Sequence, residues 1–341
     1  MKLNLSRTNA AVTLFVAAIF FIVANIAADY LLKREDKPLP QLSADQINLN
    51  FLSSLKNLGI KESWVKSKTA NRNKKNDSLK YNYKVEIPAD LPIAVVLSEI
   101  NEMFDSELIT VSVDEKGING KTNLEMSSGR KLKLIAQFYY NSEIIREKKT
   151  GAVILTNIFS LTAEELAALL TTPEQFAALI TPDKEAGDII KKLKGNGKEY
   201  IVFLDDNITD LEFKLKGNFN KTRTSEVLKN IAGKFKDASL IMVDEESDLY
   251  NSSIFNFIKD EITGRKIMLI RKGDAAFLQG SSEDINETFL RVMHEGNEAP
   301  RLFLIDAENY FIIQQAIVKL RKIGYKFINP SLAVKEKLNL L

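Results

Sequence analysis

Gly151-Ala152-Val153-Ile154-Leu155-Thr156-Asn157 and Gly197-Lys198-Glu199-Tyr200-Ile201-Val202-Phe203-Leu204 are short apolar runs, entered near a glycine and, in the first case, left through polar residues. Runs of this length without polar alternation belong to strands covered on both faces, as in a parallel sheet between helical layers. Working outward, the same reading predicts strands at Ala152 to Leu155, Phe176 to Ile180, Tyr200 to Leu204, Leu240 to Val243, Lys266 to Ile270, Leu302 to Ile305 and Lys326 to Ile328. Amphipathic segments fall between them, at Thr162 to Leu170, Lys184 to Lys194, Ser225 to Lys236, Ser253 to Thr263, Ser282 to Met293 and Glu308 to Ile323. Strands joined by helical crossovers predict a barrel-like or open α/β fold whose functional face lies at the carboxyl ends of the strands. Gly195-Asn196-Gly197 follows a helix and precedes a strand, the reverse of a phosphate loop, so it reads as a helix C-cap and turn.

Before Lys149 the pattern differs. Tyr81, Tyr83, Val85 and Ile87 alternate with polar residues and end at Pro88, which marks a half-buried strand. Pro92 opens a helical pattern through Val95, Val96, Ile100 and Phe104, and strands are expected at Leu108 to Val113, Thr122 to Met126 and Leu132 to Tyr140. Ser43 and Gln46 form a capping box ahead of a helix that ends near Gly59, while Lys66 to Lys80 is basic, aperiodic and expected to be a loop. These elements make residues 43–149 a small α+β domain. It combines no nucleophile with a base, so its expected role is binding, packing or dimerisation.

Ala10 to Ala28 is apolar apart from Thr13 and Asn25, close to the length that spans a bilayer as a helix. The reading is an anchor within residues 1–32, with a short cytoplasmic tip; a cleaved signal peptide, with Lys2 and Arg7 as its positive region, is the competing one. Residues 33–42, with Pro38 and Pro40, form a stalk. The lipid bilayer is thus an expected partner through residues 10–28, with the rest outside the cytoplasmic membrane, in the periplasm or cell envelope.

Composition closes several functional classes. With 47 Lys+Arg against 45 Asp+Glu there is no broad basic field, so nucleic acid is not an expected partner. The chain has no cysteine and one histidine, which removes thiol nucleophiles, zinc–thiolate sites and multi-histidine centres. His294 is expected near a helix end in a solvated or capping role. Ser160 and Ser331 have no histidine partner, and Asn207-Ile208-Thr209, Asn220-Lys221-Thr222 and Asn286-Glu287-Thr288 match the glycosylation tripeptide without further context.

The order of segments carries a resemblance. Ala152 to Ile158, Thr172-Pro173-Glu174-Gln175-Phe176-Ala177, Gly197 to Leu204, Ala238 to Val243, Gly264 to Ile270 and Ile323 to Leu332 resemble, in sequence and spacing, the divergent polysaccharide deacetylases. The resemblance implies a distorted (β/α) barrel over residues 150–341, preceded by the small α+β domain and the transmembrane helix. It also implies descent from metal-dependent carbohydrate deacetylases of the cell envelope.

The resemblance places the family's paired aspartates at Thr156 and Asn157, a third-strand histidine at Phe203, and two later histidines at Asp244 and Asp306. An amide, a hydroxyl and a phenyl ring are poor or impossible ligands for a hydrolytic metal. The expectation is therefore a domain that has lost catalysis and needs no cofactor. It would bind an envelope polysaccharide or protein in a cleft lined by Asn157, Asp205, Asp206, Asp244 and Asp306. The alternative is an active deacetylase using a divalent ion held by Asp205, Asp206, Asp244, Glu245, Glu246 and Asp306. Taken singly, each acid reads as a solvated loop residue or helix cap. A third reading has residues 43–140 mediate oligomerisation.

Overall fold

The structure, a computed structural model, describes residues 15–25, 41–68, 79–104, 108–116, 121–146, 149–295 and 299–339. Its chain divides into two compact units, one within 1–54, 63–87 and 92–140, the other comprising 55–62, 88–91 and 141–341.

The first unit holds α1 (Ala44–Asn57), β1 (Val65–Ser67), β2 (Tyr81–Pro88), α2 (Ile93–Glu102), β3 (Thr110–Lys116), β4 (Lys121–Ser128) and β5 (Lys131–Asn141), with α1 running three residues beyond Ser54. The sheet order is β1-β2-β5-β4-β3. The capping box forms as expected, since the Ser43 N–H donates to Gln46 Oε1 and the Gln46 N–H to Ser43 Oγ. Alternation buries Tyr83, Val85 and Ile87 of β2 with Leu134, Ala136 and Phe138 of β5, and Phe51 of α1 stacks on Tyr83 at 5.7 Å between centroids. The start of the expected Lys66–Lys80 loop is instead strand β1, because Val65, Lys66 and Ser67 pair with Val85, Lys84 and Tyr83. Residues 69–78 lie outside the described residues.

Residues 15–25 are helical with exposed apolar side chains, Phe15, Phe20 and Phe21 among them. No helix among the described residues is long and apolar enough to cross a membrane. The remainder of the expected 10–28 span, and the stalk up to residue 40, lie outside the described residues.

Among the described residues the second unit contains eight strands rather than seven: β6 (Thr150–Thr156), β7 (Phe176–Ile180), β8 (Glu199–Leu204), β9 (Leu240–Val243), β10 (Leu269–Arg271), β11 (Ala276–Leu278), β12 (Arg301–Asp306) and β13 (Lys326–Phe327). Between and after them run α3 (Ala163–Thr171), α4 (Gly187–Gly195), α5 (Lys221–Lys234), α6 (Phe255–Gly264), α7 (Ser282–His294), α8 (Tyr310–Lys322) and α9 (Pro330–Asn339). All pairings are parallel, in the order β10-β9-β8-β7-β6-β12-β11, with β13 on the β7 side of β6.

This order explains the curl of the sheet. β10 and β11 stand at opposite ends of the sheet, yet only residues 272–275 join them. Five Cα–Cα steps reach at most about 19 Å. Six strand intervals laid flat would span roughly 29 Å. The sheet must therefore bend until its ends approach, while no ladder joins β10 to β11 among the described residues. The result is a barrel-like wall with a seam.

Pleating gives that wall two apolar faces. Ala152 and Ile154, Ile201 and Phe203, Leu240 and Met242, Met268 and Ile270, and Leu302 and Leu304 face the interior, which Ala333 and Val334 of α9 help fill. Val153, Leu155, Val202, Ile241, Phe303 and Ile305 face the helical layer.

Two expected details change. The run Lys266 to Ile270 yields a strand only from Leu269, because Lys266 takes a left-handed backbone (φ 61°) that ends α6, its N–H bonded to Thr263 O at 2.8 Å. Strand β11 is too short for periodicity to detect. The second unit takes in 55–62 and 88–91 as well as everything from Asn141 onward, where the boundary read from sequence is 149/150, and Arg146 is tied into this unit. Its nearly buried guanidinium donates to Leu58 O (3.1 Å), Lys322 O (2.7 Å) and Asp90 Oδ2 (3.0 Å).

Candidate functional site

The interior residues of each strand alternate, so the pleat sets the next inward step for Thr156 and Asp306, and the same count reaches the first residue after β8, β9 and β10. It falls on Thr156 after Ile154, Asp205 after Phe203, Asp244 after Met242, Lys272 after Ile270 and Asp306 after Leu304. These five residues form a polar layer at the carboxyl ends of the strands, the face at which barrels of this kind carry their chemistry.

Three of the expected site residues meet on one carboxylate. Asp306 Oδ1 accepts from Thr156 Oγ1 at 2.6 Å and from Asn157 Nδ2 at 2.5 Å. The pairing of β6 with β12 sets Asp306 directly opposite Thr156. Asn157 reaches it from a left-handed backbone (φ 52°), a conformation that asparagine tolerates better than most residues.

The other acids have separate partners. Asp205 is buried and folds its own loop, accepting from the Asn207 N–H and from Asn207 Nδ2, both at 3.1 Å. Asp206 accepts from the Asp248 N–H (2.6 Å) and the Leu249 N–H (3.0 Å), joining the loops after β8 and β9. Asp244 Oδ2 accepts from Lys272 Nζ at 2.9 Å, and its Oδ1 from the Glu246 N–H at 3.1 Å. Glu245 Oε1 takes the Gly273 N–H at 2.8 Å, while its Oε2 is buried without a hydrogen-bond partner.

Lys272 is the residue that the sequence reading missed. The bond to Asp244, followed by the charges of Asp244, Glu246 and Glu245, raises its pKa above the ordinary lysine value against the opposing effect of burial. An ammonium thus occupies the acidic side of the layer. Period-two counting from Met268 and Ile270 would have found it, had strand and link been separable in sequence. Phe159 was also passed over; it is 58% exposed two residues beyond Asn157 and offers a flat apolar surface at the rim.

Phe203 packs with the barrel interior, where it fills space and presents no donor atom. Among the described residues, no group of three or more His, Cys, Asp or Glu side chains is placed to hold a metal ion. His294 ends α7 and packs edge-on against Tyr325 at 5.9 Å. Ser160 caps Asn157 O at 2.7 Å, and Ser331 donates through its N–H and hydroxyl to Glu199, so both serines have structural partners. Gly195-Asn196-Gly197 is the expected helix end and turn, with Gly197 at φ 69°.

No family model and no curated protein matches the chain. Similar solved structures include a CE4 family pseudoenzyme at 10% identity and TM-score 0.39, covering 70% of this chain and 97% of that one. A peptidoglycan N-acetylglucosamine deacetylase matches at 11% identity and TM-score 0.38, covering 55% and 89%. The peptidoglycan deacetylase PdaC from Bacillus subtilis matches at 15% identity and TM-score 0.35, covering 57% and 93%. All three lie below 25% identity and below a TM-score of 0.5. At these identities and scores, neither activity nor ligand passes from those proteins to this chain.

Proposed function

We propose that residues 150–341 form a deacetylase-like domain that has lost metal-dependent catalysis. In this reading it binds a glycan or a protein of the cell envelope at its strand ends, held at the bilayer by residues 10–28. The observation that carries the reading is the commitment of the acids. Asp306 is engaged by Thr156 and Asn157, Asp244 by Lys272, Asp206 by two backbone N–H groups and Asp205 by Asn207. A divalent ion would have to displace these donors and sit beside an ammonium, with no imidazole to help. Hydrolysis needs a metal-bound water of lowered pKa or a comparably placed base, and these residues supply neither. What they do supply is a polar floor of hydroxyl, amide and carboxylate groups with Phe159 exposed nearby, a combination suited to the hydroxyls and the flat apolar face of a sugar ring.

The test joins metal analysis of the purified chain, an acetate-release assay on acetylated sugar oligomers with added divalent ions, and a binding screen against envelope polysaccharides. The expected result is no stoichiometric metal, no acetate, and saturable binding to one polysaccharide that Asp306→Ala weakens. Tightly bound zinc, or acetate release dependent on a divalent ion, would restore the reading of an active deacetylase and sink this one.

A further inference from the structure

A cavity of about 460 Å³ lies at the sheet edge formed by β10, beside α6 and near the end of α9. Val243 and Leu269 contribute from the strand face opposite to Met242 and Ile270, Met268 contributes from the interior side just before β10, and no residue of the polar layer lines the cavity. Its floor is apolar, with the rings of Tyr250 and Phe255 in contact at 4.4 Å between centroids.

The charges of its wall are unbalanced. Lys259, Lys266 and Arg271 stand against a single carboxylate, Asp274. Arg271 already spends its fork on that carboxylate, with Nη2 at 2.9 Å from Oδ1 and Nε at 3.5 Å from Oδ2, and its backbone N–H also donates to Oδ2 at 2.9 Å. Lys259 and Lys266 are both exposed, and neither has a side-chain hydrogen bond or ion pair among the described residues.

Lys266 adds a second, independent observation. It ends α6 in the left-handed region at φ 61°, where glycine is the residue without a Cβ penalty. A strained non-glycine residue whose side chain lines a cavity and pairs with nothing there points to a role outside stability.

We infer that this cavity binds a phosphate monoester carried on a ring of sugar size. Two unpaired ammonium groups act as point charges and match a compact phosphate of roughly −1.5 to −2. A planar carboxylate is the poorer fit, because its best partner is a free guanidinium fork and that of Arg271 is occupied. The volume lies in the range of small-ligand sites, and the Tyr250 and Phe255 rings provide an apolar wall for the ring.

The experiment is calorimetric titration of the full-length chain with glucose 6-phosphate, glucose, glucuronate and inorganic phosphate. Saturable binding is expected for glucose 6-phosphate, with each of the other three at least about tenfold weaker. Lys259→Ala and Lys266→Gly should each weaken glucose 6-phosphate binding about tenfold. Lys266→Gly should at the same time raise Tm by about 2 °C, which separates a lost contact from a damaged fold. The proposal is overturned if glucose 6-phosphate does not bind in the millimolar range. It is equally overturned if any of the other three probes matches it, or if both lysine variants bind as the parent chain does. None of these outcomes depends on whether the strand-end cleft binds a glycan.

Discussion

Removing the Asp306 carboxylate tests the central geometry directly. Asp306→Ala deletes the shared acceptor of Thr156 Oγ1 and Asn157 Nδ2. A hydrogen bond to a charged acceptor contributes about 1.5–3 kcal/mol when buried. Here Asp306 and Thr156 are half-buried and Asn157 is exposed, so about 1 kcal/mol each is the appropriate discount. The variant should therefore lose about 2 kcal/mol, or about 4–8 °C in Tm for a cooperative unit of roughly 200 residues. Thr156→Val alone should lose about 1 kcal/mol, and the double variant should lose about 1 kcal/mol less than the two single losses added together. Chemical and thermal denaturation of the four proteins measures that coupling. Additivity to within about 0.3 kcal/mol would refute the shared-acceptor geometry, as would an Asp306→Ala variant as stable as the parent.

Other consequences can be measured independently. Lys272 has a raised pKa through its bond to Asp244, so its stabilising effect is complete below the unfolded value near 10.4 and declines as pH climbs through the folded one. The Tm difference between the parent and Lys272→Met should accordingly stay level up to about pH 9.5 and shrink above about 10.5; a difference independent of pH would contradict the pairing. Phe203→His places an imidazole where the resemblance expects one, yet added zinc should not raise the variant's Tm, and a rise would reveal further ligands. Gly59→Ala forces φ 72° on a residue with a Cβ that would lie 2.6 Å from Ile323 O. A loss of at least ~1 kcal/mol is expected in denaturant melts, and a neutral result would mean that this turn relaxes freely.

The sequence by itself determined the kind of structure. Uniform apolar runs of strand length such as Phe176–Ile180 and Leu240–Val243, set between amphipathic helical segments, read as strands covered on both sides, and alternation in Tyr81 to Ile87 reads as a half-buried strand. It also excluded thiolate chemistry and multi-histidine centres, because the chain has no cysteine and a single histidine, His294. Local signals carried this far because they depend on neighbours within a few residues.

What tertiary structure alone decided was which distant groups meet. Thr156 and Asp306 become partners because β6 and β12 lie side by side in register, 150 residues apart in sequence. Lys272 neutralises Asp244 because β10 pairs with β9, which sets the ends of two strands 28 residues apart in sequence beside one another. β11 and the curl of the sheet were equally hidden, since three residues have no period and only the strand order reveals that the link from 272 to 275 must draw the two sheet ends together. Hydrophobic pattern specifies faces, whereas the encounter of polar side chains depends on strand order and register, which the whole fold sets at once.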